Sequence, residues 1–159
     1  MLVASDTRSA GVKQEKCIPE ISTFLEENGY VVARTAVCPD ELLPLRDTIR
    51  DWAQDGTVDV ILTSGGTGVS PRDVTPEATR PLLDKEIPGI PEAMRFASFQ
   101  KTVNAVISRG LAGLIGGVLV INLPGSPKAA VENLAVIHAA MEHIVKKAKG
   151  DPSECAPPS

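Results

Sequence analysis

The sequence predicts a three-layer αβα fold of the α/β class, built on a mostly parallel central sheet. Three observations predict it. Short runs rich in β-branched residues alternate with amphipathic helical runs, and the connections between them are short. The run Val58-Asp59-Val60-Ile61-Leu62 is nearly all apolar and of strand length, the pattern of a parallel strand covered on both faces. That run leads directly into Thr63-Ser64-Gly65-Gly66-Thr67-Gly68, and in open α/β sheets ligands sit outside the carboxyl ends of strands.

The elements follow in order. Residues 2–5 read as the first strand. Residues 14–28 read as a helix with Ile18, Ile21, Phe24 and Leu25 on one face, and Asn28-Gly29 is its stop signal. Residues 30–37 are rich in β-branched side chains and read as the second strand. Residues 40–54 form a helix whose apolar face is Leu42, Leu45, Ile49 and Trp52. Residues 58–63 are the third strand. Thr75-Pro76-Glu77 opens a helix with a threonine N-cap, proline at the first helical position and an acid in the first turn. Residues 88–101 read as helical, while 103–108 fit neither period. Residues 118–123 are the fourth strand. Ser126-Pro127 caps a final helix that runs to Lys149, with Leu134, Ile137, Met141 and Ile144 inward. Residues 1–149 are expected to form one domain. Residues 150–159 carry three prolines and no apolar periodicity, and read as a disordered tail.

Composition narrows the function classes. Sixteen basic residues against twenty acidic give a net charge of −4 with no basic stripe, which argues against nucleic acid as a partner. No apolar run approaches the roughly 20 residues that span a bilayer, so no membrane partner is expected. Cys17, Cys38 and Cys155 are odd in number and widely spaced, which reads as reduced thiols and a cytoplasmic location. With His138 and His143 the only histidines, a tightly bound transition metal is not expected.

Right-handed crossovers would place every loop after a parallel strand on one rim. That rim would hold Ser5 and Asp6, the loop Thr63-Ser64-Gly65-Gly66-Thr67-Gly68, and Pro124-Gly125-Ser126. Glycines at a strand end leave backbone N–H groups open to an anion, and the following helix adds the positive end of its dipole. The loop lacks the lysine and spacing of the P-loop, which argues against a kinase or GTPase. Asp73 follows it. A carboxylate there either bridges to phosphate oxygens through Mg²⁺ or bonds to backbone near the helix start. Asp40 alone reads as an N-cap. Ser126 fits both an N-cap and an anion contact. Lys128 lies in a first helical turn, against the dipole unless an anion is near.

The segments Thr63-Ser64-Gly65-Gly66-Thr67-Gly68 with Pro71-Arg72-Asp73-Val74-Thr75-Pro76-Glu77, Asn122-Leu123-Pro124-Gly125-Ser126-Pro127-Lys128, and Val3-Ala4-Ser5-Asp6-Thr7 stand in this chain. In that combination they resemble the MogA/MoaB-type molybdenum cofactor biosynthesis proteins, which include the G domain of gephyrin. The resemblance covers residues 1–148. It implies adenylylation of molybdopterin by ATP with release of pyrophosphate, and a Mg²⁺ bound with ATP during turnover. It implies that Asp40 and Asp73 are needed for that reaction. Ser5, Asp6, the glycine loop, Pro124, Gly125, Ser126 and Lys128 would then contact molybdopterin or nucleotide. It further implies a homotrimer, with Ile90, Met94 and Phe96 as candidate interface residues, and delivery to a downstream molybdate-inserting protein. The alternative within the resemblance is a MoaB-like molybdopterin-binding protein or scaffold without efficient transfer. Glu15-Lys16-Cys17 departs from the family pattern, in which an aspartate, a basic residue and a small residue stand in that order.

Overall fold

The computed structural model describes residues 1–6, 11 and 14–152. The described strands are β1 (Leu2–Ala4), β2 (Ala36–Cys38), β3 (Val60–Ser64), β4 (Lys85–Glu86), β5 (Ala112–Ile115) and β6 (Val118–Leu123). They form one sheet in the order β2-β1-β3-β6-β5-β4. The helices are α1 (Cys17–Glu27), α2 (Leu42–Gln54), α3 (Thr75–Thr79), α4 (Gly89–Phe99) and α5 (Pro127–Ala148). Strands β2, β1, β3 and β6 are mutually parallel, and β5 and β4 add an antiparallel edge.

Each face of the sheet has its own core. Strand β6 alternates Leu119, Ile121 and Leu123 on one side with Val118 and Val120 on the other. The first set packs with Ile21 and Leu25 of α1, Ile90 and Met94 of α4, and Leu134 and Met141 of α5. The second packs with Leu45 and Ile49 of α2 and Ala78 of α3. The chain therefore leaves β1 along one face through α1 and reaches β3 along the other through α2. That reversal puts a topological switch point between β1 and β3, where open α/β sheets bind their ligands.

Several expectations need correction. The second strand pairs only over Ala36–Cys38, because its ladder with β1 starts at Leu2 opposite Ala36; residues 30–35 run beside the sheet without joining it. Strands β4 and β5 were not expected: two exposed charged residues and a glycine-containing tetrapeptide carry no strand period. Residues 103–107 form a 3₁₀ turn. Thr75 is the first residue of α3 rather than its cap. Residues 150 and 151 belong to a helix end and not to a tail. Gly150 N–H donates to the Lys147 carbonyl and Asp151 N–H to that of Lys146, the paired bonds of a Schellman stop. Residues 153–159 lie outside the described residues.

One buried polar group ties the layers together. The Asn122 side chain, 1% exposed, donates to the hydroxyls of Thr63 and Thr79 at 3.0 and 3.1 Å and accepts from the Leu111 N–H at 3.3 Å. It thus joins β6 to β3, to α3 and to the entrance of β5. Asn122→Leu keeps the volume but orphans these partners, and is expected to cost roughly 2–4 kcal/mol. A denaturant midpoint unchanged from wild type would contradict this.

Candidate active site

Parallel pairing of β2, β1, β3 and β6 brings their carboxyl ends to one rim. Ser5 and Asp6 leave β1, Asp40 follows β2, the glycine loop leaves β3, and Pro124-Gly125-Ser126 leave β6. The loops interlock. A Cβ on Gly65 would lie 2.3 Å from the carbonyl oxygen of Ala4, and one on Gly125 would lie 3.1 Å from the Gly65 Cα. Gly65 (φ 103°) and Gly66 (φ 63°) hold conformations that side chains rarely adopt.

Asp6 and Asp40 bind each other's backbone. The Asp6 N–H donates to Asp40 Oδ2 at 3.0 Å, and the Asp40 N–H donates to Asp6 Oδ1 at 2.9 Å. Arg72 closes the pair from outside, donating from Nε and Nη2 to Asp6 Oδ2 at 3.0 and 2.6 Å. That hydrogen bond, with the Asp40 N–H, holds the Asp6 carboxyl below its ordinary range. Asp40 moves the other way. Burial raises its carboxyl above the ordinary range, the Asp6 N–H opposes this, and the charges of Asp6 and Asp73 add to the rise. Its second oxygen, Oδ1, is buried without a hydrogen-bond partner among the described residues. A Cβ on Gly66 would sit 3.3 Å from that oxygen. Asp73 flanks the loop at its other end: its Oδ2 accepts the Ser70 N–H at 2.8 Å, and a Cβ on Gly68 would approach it to 2.9 Å.

This donor set fits a hard cation completed by phosphate. Among the described residues no group of three or more His, Cys, Asp and Glu is spaced to hold a metal ion. Two carboxylates against a glycine loop suit Mg²⁺, which takes one or two carboxylates and fills its shell with substrate phosphates and water. The buried, unpartnered Asp40 Oδ1 is the observation that makes the fit specific, since a buried polar oxygen left unpaired is costly.

The loop carbonyls are all turned to protein donors. Gly65 O accepts from Thr75 Oγ1 at 2.8 Å, Gly66 O from Thr75 N–H at 3.0 Å, Thr67 O from Arg109 N–H at 2.9 Å and Gly68 O from Arg109 Nε at 2.6 Å. In a planar trans peptide the N–H points opposite to the carbonyl of the same unit. The N–H groups of Gly66, Thr67, Gly68 and Val69 therefore point away from those donors, and none donates to a described residue. Sequence reasoning missed Arg109 altogether. Its guanidinium also donates to the Asp73 carbonyl at 2.6 Å and pairs with Glu77. Burial is the largest influence on the Glu77 carboxyl and raises it, but the Arg109 hydrogen bond, a backbone N–H and the charges of Arg109 and Arg80 together outweigh it and the net shift is downward.

Other expected site residues take inward roles. Thr63 and Ser64 are fully buried; Thr63 Oγ1 meets Asn122, and Ser64 Oγ donates to the Pro124 carbonyl at 3.0 Å. The Gly65 N–H donates to the Leu123 carbonyl at 3.2 Å, so it does not face a ligand. Ser126 stands at the N-cap of α5 without a side-chain cap bond, and Ser126 and Lys128 are both exposed. Cys17 is buried, with Sγ 3.4 Å from the Gly125 carbonyl. Glu15 caps α1, accepting from the N–H groups of Cys17 and Ile18 at 2.5 and 2.9 Å. The residue pair that departs from the family pattern thus fixes a helix start beside the rim.

Comparison with known proteins supplies an independent line. The family described as "Probable molybdopterin binding domain" matches residues 1–143. The crystal structure of the molybdopterin biosynthesis enzyme MoaB from Thermus thermophilus is 42% identical, with a TM-score of 0.88 and 96% of each chain covered. The molybdopterin adenylyltransferase of Haemophilus influenzae is 38% identical over 84% of this chain and 69% of its own length. The molybdenum cofactor synthesis protein cinnamon of Drosophila melanogaster is 46% identical over 69% of this chain. The chain spans only 18% of that protein, and 23% of the gephyrin of Dictyostelium discoideum.

Proposed function

We propose, because this chain belongs to the family of molybdopterin-binding domains of molybdenum cofactor biosynthesis, that it transfers the adenylyl group of ATP to molybdopterin. A terminal phosphate oxygen of molybdopterin attacks the α-phosphorus of ATP. The bond from that phosphorus to the bridging oxygen breaks, and pyrophosphate leaves. Both reactants are anionic, so positioning and charge neutralisation carry the rate. The observation that carries the reading is the buried, unpartnered Asp40 Oδ1 facing a glycine loop whose carbonyls are turned away.

The roles divide as follows. Asp40 and Asp73 would hold Mg²⁺, which when bound withdraws charge from the phosphates it touches. The N–H groups of residues 66–69 offer fixed donors to phosphate oxygens. Arg72 holds Asp6, and Asp6 orients Asp40 through two backbone bonds. Ser5, Pro124, Gly125, Ser126 and Lys128 complete the rim at which pterin and nucleotide meet. Incubation with molybdopterin, ATP and Mg²⁺ tests this: adenylylated pterin and pyrophosphate should form in equal amounts. Binding of molybdopterin without transfer would favour a second reading, a binding protein, to which the match to a family described by molybdopterin binding alone lends support. Among the described residues no helix is long and apolar enough to cross a membrane.

The protein is further proposed to work as a homotrimer, and the interface residues need revision. Ile90 and Met94 are buried within the chain's own core. Phe96 is 72% exposed, and Phe99, Val103, Val106 and Ile107 next to it along the chain are exposed too. Water contact for so many large apolar groups in one stretch marks association. Light scattering is expected to give three times the 16.8 kDa chain mass. A monomer at micromolar concentration would remove the proposal.

A further inference from the structure

We propose that Arg109 is a positioning residue that aims the glycine loop and fixes Asp73 against it. The inference rests on the adenylyl-transfer reading only for its kinetic readout; its geometry stands alone. Arg109 sits between the 3₁₀ turn of residues 103–107 and β5, far from the loop in sequence. It nevertheless touches four of that segment's residues. Its N–H donates to Thr67 O at 2.9 Å, Nε to Gly68 O at 2.6 Å, Nη2 to Asp73 O at 2.6 Å, and Nη1 pairs with the Glu77 carboxylate. One planar fork therefore joins both ends of the 68–73 turn and the first turn of α3.

The consequence for chemistry follows from peptide geometry. Holding Thr67 O and Gly68 O directs the N–H groups of Gly68 and Val69 to the opposite side of their peptide planes. Thr75 does the same for Gly66 and Thr67 through its N–H and hydroxyl. Arg109 thus supplies two of the four restraints, on Thr67 O through its main chain and on Gly68 O through its side chain, that leave four consecutive N–H groups without an acceptor among the described residues. It also holds the Asp73 main chain, and so the carboxylate beside Gly68. A lysine cannot replace it. A single ammonium keeps the charge facing Glu77 but lacks the rigid fork that reaches two carbonyls five residues apart.

The test compares Arg109→Lys, Arg109→Gln and wild type in folded, purified full-length protein. Pyrophosphate binding is measured by calorimetry, and KM for ATP and kcat by transfer assay. Arg109→Gln is expected to lose on the order of 100-fold in kcat/KM for ATP, the size of a roughly 1 Å misplacement. Arg109→Lys is expected to recover only part of that, and pyrophosphate affinity should fall in parallel. Added guanidinium should partly restore the Gln variant, an effect that general loss of fold does not show. Lys behaving as wild type overturns the fork role. Constants unchanged per folded molecule in Gln, with only a lower thermal midpoint, reduce Arg109 to a structural strut and overturn the proposal. If either variant fails to fold, Thr75→Val tests the same restraint from the other side; unchanged pyrophosphate affinity there overturns it. A wild type that binds pyrophosphate but transfers nothing removes the adenylyl-transfer reading while pyrophosphate affinity still decides the role of Arg109. A wild type that does neither removes both.

Discussion

Asp73→Asn should lower adenylyl transfer by roughly 10²–10³-fold while leaving the protein folded, since one such electrostatic contact is worth about 3 kcal/mol in the transition state. The substitution keeps an oxygen that can accept the Ser70 N–H, so the turn survives, but it removes the charge. Asp40→Asn should have a similar effect if both carboxylates serve one cation. The double variant should then be little worse than either single one, because residues acting as a unit are not additive. Near-normal transfer by Asp73→Asn would reduce Asp73 to a turn residue.

The same pair separates activity from stability. Burial holds the Asp40 carboxyl above its ordinary range. A carboxyl raised in this way contributes stability that is complete below its unfolded pKa and is lost as pH rises through the folded one. At neutral pH the ionised Asp40 is thus a net cost to the ligand-free fold. Asp40→Asn should therefore melt no lower than wild type at pH 7, with any gain shrinking as the solution is acidified. A clear fall in the melting midpoint at pH 7 would mean that Asp40 supports the fold in a way the buried oxygen does not suggest. Asp6 has the opposite sign: its lowered carboxyl contributes stability above its unfolded pKa, lost as pH falls through the folded one.

How much of this was legible depended on range. The helices α1, α2 and α5 were readable because their apolar faces repeat within a few residues, and Leu45, Ile49, Leu134 and Met141 are buried as their period predicts. The parallel strands β3 and β6 were readable because burial on both faces demands unbroken apolar runs. The antiparallel edge was not, although Gly116-Gly117 between Ile115 and Val118, both with positive φ, is a two-residue hairpin signal that was overlooked. The rim itself was predictable from strand ends. The pairing of Asp6 with Asp40 required the adjacency of β1 and β2, which no local pattern encodes. Arg109 was invisible for the same reason: the carbonyl partners of its side chain lie 36 and 41 positions away, and an arginine before a glycine looks like any surface cation. Thr63 and Ser64 misled because a hydroxyl near a strand end serves the interior and a ligand equally well, and only the position of Asn122 and Pro124 decides.

Gly65→Ala should be the most damaging single methyl group in the chain. At φ 103° an alanine is strained by roughly 1–2 kcal/mol before any contact is considered. Its Cβ would stand 2.3 Å from the Ala4 carbonyl oxygen, which is backbone of the central strand β1 and cannot rotate aside. Relief would require β1, the glycine loop and the turn at Gly125 to move apart, because Gly125 already packs on the Gly65 Cα. That movement separates Asp6 and Asp40 from the loop they face, so transfer should be lost together with stability. A combined cost on the order of 3 kcal/mol would lower the melting midpoint by about 10 °C for a domain of this size. Gly89→Ala is the matched control. Gly89 opens α4 with nothing within 4 Å of its would-be Cβ, and alanine is the better helix former, so that variant should melt at or slightly above wild type. If the two variants melt alike, β1, the glycine loop and the β6 turn do not interlock at Gly65, and the placement of the carboxylates against the loop loses its structural basis.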